Sequence, residues 1–189
     1  MKDSAQPPGA AIALIGAAGA LALGASLRAA PGFEGLAGAA LAGVALAIAI
    51  IDWRFLIVPN ELTALALALG LVDLSYRNWS VMPAPALEAL IRCTVMAGLF
   101  LAFRLGYRRL RGREGMGLGD VKLAGVAGVW LDWTSLPIAV EIAAVSALGF
   151  VVARQLVSRQ PLDPLAKLPF GAFLAPAIWM AWLLQHWWN

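Results

Sequence analysis

Apolar residues run through this chain in long stretches, interrupted by short clusters of proline, glycine and charge. Seven stretches separate, roughly over residues 10–28, 35–56, 60–76, 86–106, 119–133, 136–156 and 170–188. A helix crossing the hydrocarbon core of a bilayer needs about 20 residues, within a range of about 17–25, and six of the seven come close to that. The fifth is short, as expected of a helix that begins below the membrane surface at a glycine-rich loop. The pattern predicts an all-α, polytopic membrane protein with about seven transmembrane helices, forming one membrane-embedded domain over residues 1–189. The first stretch follows Lys2 and precedes small residues, as a secretory signal would. Its apolar run is long for a signal core, and Arg28 sits awkwardly beside any cleavage point. It is read as a retained helix.

The basic residues orient the helices. With the N-terminus in the cytoplasm and the seven stretches alternating, Lys2, Arg54, Arg104, Arg108, Arg109, Arg111, Arg113, Lys122, Arg154, Arg159 and Lys167 fall inside. Arg28, Arg77 and Arg92 fall outside. Eleven against three is the asymmetry that the positive-inside rule expects, and inverting the protein would invert it. Trp79, Trp130, Trp133, Trp187 and Trp188 all come near the outer interface, where indole rings prefer to sit. Gly16, Gly19, Gly38 and Gly43 suit close helix–helix approach in lipid.

Composition agrees and removes whole classes of chemistry. Hydrophobic residues make up 61% and charged residues 13%, and the mean hydropathy is +0.80. An ordinary soluble domain has about 45–50% apolar and about 25% charged residues. Too few polar residues remain to cover a water-facing surface. Cys93 is the single cysteine and His186 the single histidine, three residues from the end. A disulfide framework, a Cys-x-x-Cys metal site, a Ser-His-Asp triad and a His-x-x-x-His zinc helix are therefore out of reach within one chain. No metal or other cofactor is expected. The net charge of +3 follows from the inner arginines and needs no nucleic-acid partner.

Ionisable groups within membrane segments cost free energy, on the order of 2.5–3.5 kcal/mol at mid-membrane, so each needs a reason. Asp52, Asp73, Asp120 and Glu141 lie within or at the ends of apolar stretches. Asp73 and Glu141 fall toward the outer side, where Arg92 is the expected partner and an interfacial ion pair the simple reading. Asp52 and Asp120 are 68 positions apart, yet the alternation brings both to the inner face at similar depth. Asp52 opens Asp-Trp-Arg-Phe-Leu-Ile-Val-Pro-Asn, where Pro59 and Asn60 turn into the next helix. Asp120 closes a segment with Gly115, Gly117 and Gly119 at alternate positions. Such a backbone is open enough for another extended chain to lie against it.

Two carboxylates sharing a site can hydrolyse a peptide bond. Repulsion between like charges keeps one protonated; the ionised one takes a proton from water and the neutral one protonates the carbonyl oxygen, then the leaving amine. Asp120 lies at a helix N-terminus, which favours an anion, and Asp52 in the last turns of its helix, which does not. That asymmetry makes Asp120 the expected base and Asp52 the expected acid. The other reading of the pair is two interfacial acids balancing nearby basic residues. The glycines do not form a nucleotide loop, since Asp120 stands where a third glycine would and no Gly-Lys-Ser/Thr follows.

Gly115-Met-Gly-Leu-Gly-Asp-Val-Lys-Leu123 resembles the Gly-x-Gly-Asp signature of the type IV prepilin peptidases. Asp52 through Asn60, followed by Leu62 and Thr63, is similar to that family's first aspartate motif, and Lys167-Leu-Pro-Phe-Gly-Ala-Phe-Leu174 to its late Pro-Phe-Gly segment. A bare Gly-x-Gly-Asp also occurs in presenilin-type proteases; three motifs in order are more specific. The resemblance implies an aspartic endopeptidase with Asp52 and Asp120 as its catalytic pair, at the cytoplasmic face of the bacterial inner membrane. Its substrates would be prepilins or pseudopilins, cut between a short hydrophilic leader and a hydrophobic helix. Gly115, Gly117, Gly119, Lys122, Pro169, Phe170 and Gly171 match motif positions and are candidates for substrate binding, with packing and helix initiation as equal alternatives.

Long members of that family carry two Cys-x-x-Cys pairs in a cytoplasmic region and also N-methylate the new pilin terminus. No inner loop here has room for such a region, so the chain resembles the short, peptidase-only forms of tight-adherence or Flp pilus systems. The arginine-rich loop at 104–113 would repel basic leaders and is read as a topology determinant in contact with anionic lipid. Two other functions remain open at this point: a small transporter or channel, since intramembrane acids also mark ion paths, and an inactive structural subunit of a secretion machine.

Overall fold

The computed structural model describes residues 8–112, 115–158 and 168–188. Among them it forms seven α-helices in chain order: α1 (Pro8–Ala29), α2 (Phe33–Phe55), α3 (Asn60–Asn78), α4 (Ala84–Arg111), α5 (Leu118–Trp130), α6 (Ser135–Ser158) and α7 (Gly171–Trp188), with a short 3-10 turn at Trp79–Val81. Each matches one apolar stretch of the sequence. α2, α4 and α6 are long and apolar enough to cross a membrane.

α5 and α7 form the centre. α5 packs on α3, α4 and α7, while α7 also meets α1, α2 and α6. Accordingly α5 is buried on almost every side, with Val121, Leu123, Ala124, Val126, Ala127, Val129 and Trp130 all in the core. α6 instead buries one stripe, Ser135, Leu136, Ala139, Ala143 and Ala147, at the spacing of a single helical face. Its opposite face exposes Val145, Leu148, Val152 and Leu156, and α4 likewise exposes Leu90, Leu99 and Phe103. An apolar exterior over an apolar core is the surface of a protein whose solvent is lipid. With lipid outside, close approach and hydrogen bonds hold the helices together.

Several such contacts correct the sequence reading. Of the four glycines expected at helix crossings, Gly38 serves, being covered by the indole of Trp182. Gly16, Gly19 and Gly43 face open space. Trp130, expected at the outer interface, is only 2% exposed and donates its indole N–H to the Ala66 carbonyl at 2.9 Å, tying α5 to α3. Trp79, Trp133, Trp187 and Trp188 are exposed as expected. The arginine-rich segment is not a loop: α4 runs on through Arg104, Arg108, Arg109 and Arg111 before Gly112 ends it in the left-handed conformation. Arginine is a good helix former, so charge alone does not end a helix.

Arg92 is not the partner of the outer acids. Its Nε donates to the Gly128 carbonyl at 3.0 Å and its Nη1 pairs with Glu88 at 2.7 Å. Asp73 instead meets Arg77 Nε at 3.0 Å, one turn along the same helix, and Glu141 is exposed.

Candidate active site

Asp52 lies in the last turn of α2. The helix ends three residues later at Phe55, and the next residue, Leu56, adopts a left-handed conformation (φ 55°) and returns its N–H to the Asp52 carbonyl at 2.8 Å. A leucine in that region is strained by its Cβ, on the order of 1–2 kcal/mol. The turn it makes lays Val58 and Pro59 back across the end of the bundle. α3 then begins at Asn60, with Thr63 donating both its N–H and its hydroxyl to the Pro59 carbonyl, at 3.1 and 2.8 Å.

Asp120 sits in the first turn of α5. Its Oδ2 accepts the backbone N–H of Gly117 at 3.2 Å, so the carboxylate caps its own helix start. The chain reaches this point through Gly115, which lies against the ring of Tyr107; a Cβ on Gly115 would come within 2.6 Å of it. Beside that glycine runs an apolar groove of about 690 Å³, bordered by Leu99, Phe103, Gly106 and Tyr107 of α4 and by Met116.

α7 brings the two together. It starts at Gly171, and its first turn meets Asp52: the Ala172 N–H, shared with the Pro169 carbonyl, donates to Asp52 Oδ2 at 2.9 Å. A carboxylate from α2 thus does for α7 what an N-cap side chain does within a helix. Gly171 lies between the carboxylates. A Cβ placed on it would stand 3.0 Å from Asp52 Oδ2, 3.2 Å from Asp120 Oδ1 and 2.7 Å from a Val58 methyl. One point in space is therefore within contact distance of both acids. Asp52 and Asp120 are 5% and 7% exposed.

The geometry removes one expectation. Asp52 was to differ from Asp120 in facing the negative end of a helix. The start of α7 adds a positive end beside the negative end of α2, so Asp52 faces both and the dipole alone does not assign acid and base.

The remaining candidates are all engaged within the protein. Lys122 Nζ donates to Asn60 Oδ1 at 2.7 Å, linking α5 to the start of α3. The Pro169 carbonyl accepts the Ala172 N–H at 3.2 Å. Phe170 packs against Phe100 of α4 with ring centres 6.4 Å apart. Gly117 holds Asp120, and Gly119 faces Val58, whose Cβ lies 2.6 Å from where a Gly119 Cβ would be. Lys167 lies outside the described residues. Sequence reasoning missed Val58 and Ala172, the first wedged between Gly119 and Gly171 and the second holding Asp52 through its backbone. Both lie inside the motif stretches quoted above, and the glycines opposite Val58 mark where something must approach closely. It also missed Trp53, whose ring meets Phe150 at 4.9 Å and Phe173 at 6.1 Å and fixes the end of α2 against α6 and α7.

No solved structure matches the chain. Among curated proteins, it is 32% identical over 86% of its length to a prepilin leader peptidase/N-methyltransferase of Aeromonas hydrophila, covering 54% of that protein. It is 35% identical over 84% of its length to one of Burkholderia pseudomallei, covering 50%. The leader peptidase HopD of Escherichia coli is 37% identical over 67% of this chain, which covers 78% of HopD. The chain spans about half the length of the first two relatives. The model of the type IV leader peptidase family matches residues 39–152, which include both Asp52 and Asp120 and most of the helices that carry them together, and the chain belongs to that family.

Proposed function

We propose that this protein is a membrane-embedded aspartic endopeptidase that removes leader peptides from type IV prepilins or pseudopilins, with Asp52 and Asp120 as its catalytic pair. The observation that carries the reading is the convergence of both carboxylates on Gly171, within 3.2 Å of one point. Membership of the leader peptidase family supports the reaction class. In this mechanism the ionised carboxylate takes a proton from a water molecule as its oxygen attacks the scissile carbonyl. The neutral carboxyl protonates the developing oxyanion, and the tetrahedral intermediate collapses with proton transfer to the leaving amine. No cofactor is required. The apolar groove beside Gly115 suits the hydrophobic segment that follows the leader, and the alternate glycines suit the extended peptide at the cut.

The same reading puts the protein in the bacterial inner membrane as seven spans with the N-terminus inside. The test is co-expression with a candidate prepilin, read as a gel shift with N-terminal sequencing of the product. Processing by wild type, lost in Asp52→Asn and in Asp120→Asn at equal membrane abundance, is the expected result. Processing that persists in either variant refutes the pair.

A further inference from the structure

The geometry points to Gly171 and Ala172 as positioning residues of the acid pair, so that the Pro-Phe-Gly segment acts on the reaction through Asp52 rather than by holding the leader. This rests on the reading of Asp52 and Asp120 as the catalytic pair. The contacts are specific. Ala172 fixes Asp52 Oδ2 through its N–H at 2.9 Å. Gly171, by lacking a side chain, leaves open the space that Asp52 Oδ2 and Asp120 Oδ1 face at 3.0 and 3.2 Å. Val58 closes that space from a third side and also bears on Gly119, the residue before Asp120. A methyl on Gly171 has nowhere to go without moving a carboxylate or the Val58 side chain, while Pro169 and Phe170 are engaged with Ala172 and Phe100. The segment recognised as a motif is thus the support of one catalytic carboxylate, built on the first turn of a buried helix.

The test compares Gly171→Ala, Val58→Ala and the double variant Val58→Ala/Gly171→Ala in the full-length protein, with a purified prepilin as substrate. Displacing a reacting group by about 1 Å costs on the order of 10²-fold in rate. The added methyl asks each carboxylate to give by only a few tenths of an ångström, so Gly171→Ala should lose roughly 3- to 10-fold in kcat, with KM little changed and the pH–rate profile displaced. Making room at Val58 should leave most of the loss in place, because the methyl still stands 3.0 and 3.2 Å from the two carboxylate oxygens. A rise in KM with kcat retained would show a substrate contact instead. Recovery in the double variant, or a pH profile identical to that of wild type, would show a packing role and overturn the inference. Asp120→Asn runs alongside: if wild type itself cleaves no prepilin, the reading of the pair fails. The inference is then judged by thermal unfolding in detergent. Gly171→Ala should be less destabilising in an Asp52→Ala background than in wild type, and additive effects of the two substitutions would overturn it.

Discussion

Asp73 is 1% exposed, and Asp52 and Asp120 are almost as deeply buried, yet the protein treats the two places differently. Asp73 is answered by a cation from its own helix, Arg77, at 3.0 Å one turn away. That contact is local, and its geometry is that of facing charges rather than an aligned hydrogen bond. Asp52 and Asp120 come from different helices, and the hydrogen bonds described for their carboxylates are from backbone amides, Ala172 and Gly117. Both also face the space at Gly171, at 3.0 and 3.2 Å from one point. A carboxylate with its own cation is neutralised and held; one set against a second carboxylate keeps its proton exchange open. Burial does not distinguish the proposed catalytic acids from Asp73; their partners do.

The strongest way to break this comparison is to neutralise each acid in turn. Asp52→Asn and Asp120→Asn should each lower cleavage on the order of 10³-fold or more, and the double variant should be no worse than either, because members of one catalytic unit are not additive. Asp73→Asn should leave cleavage per folded molecule intact. Initial rates on a prepilin, normalised to folded protein, distinguish these outcomes, and a catalytic loss in Asp73→Asn would erase the distinction drawn above.

The converse concerns stability. Arg77→Met leaves a buried acid without its cation and should cost about 2–3 kcal/mol, seen as a lower Tm in detergent with kcat unchanged in the molecules that remain folded. A smaller effect belongs to the Lys122–Asn60 link. Lys122→Met and Asn60→Ala should each cost about 1 kcal/mol, and a double-mutant cycle should show them coupled.

An effect of the same size lies between α5 and α6, where Asp132 shows a third way to satisfy an acid. Its Oδ1 accepts the N–H groups of Thr134 and Ser135 at 3.1 and 2.7 Å and the Thr134 hydroxyl at 2.8 Å. Partial burial pushes its carboxyl up, but the hydrogen bonds from Ser135 and Thr134 outweigh that and hold it below the usual carboxylate value. A lowered folded pKa stabilises the protein above the unfolded value of about 3.9, and the gain disappears as pH falls through the folded value. Asp132→Ala should cost about 1 kcal/mol at pH 7. The gap to wild type should narrow below about pH 4, as followed by thermal unfolding across that range.

The helices were legible in the sequence because apolar runs and their Pro/Gly breaks are local properties. Asp52 and Asp120 could be singled out for the same reason, each lying beside an unusual turn. What escaped was mostly partnership between distant segments. Nothing near Trp130 distinguishes an indole bonded to Ala66 from one at an interface. Nothing near Asp52 announces that α7, 120 residues on, begins against it. The Asp73–Arg77 pair is an exception: its four-residue spacing is a standard helical pairing, and it was available from the sequence before Arg92 was preferred.

The brevity of α5 bears on how a bundle with buried acids can sit in a membrane without making it leak. Its 13 residues span roughly 20 Å at 1.5 Å per residue, short of a hydrocarbon layer about 30 Å thick. The backbone beyond its far end must therefore be satisfied by protein. There Asp132 donates its N–H to Gln185 Oε1 at 2.9 Å and collects the amides that follow. Between that end and Asp120, the helix is packed with Leu123, Ala124, Ala127 and Trp130. An apolar plug thus fills the bundle beyond Asp120, closing to water and ions the route that a short helix would otherwise leave through the bilayer.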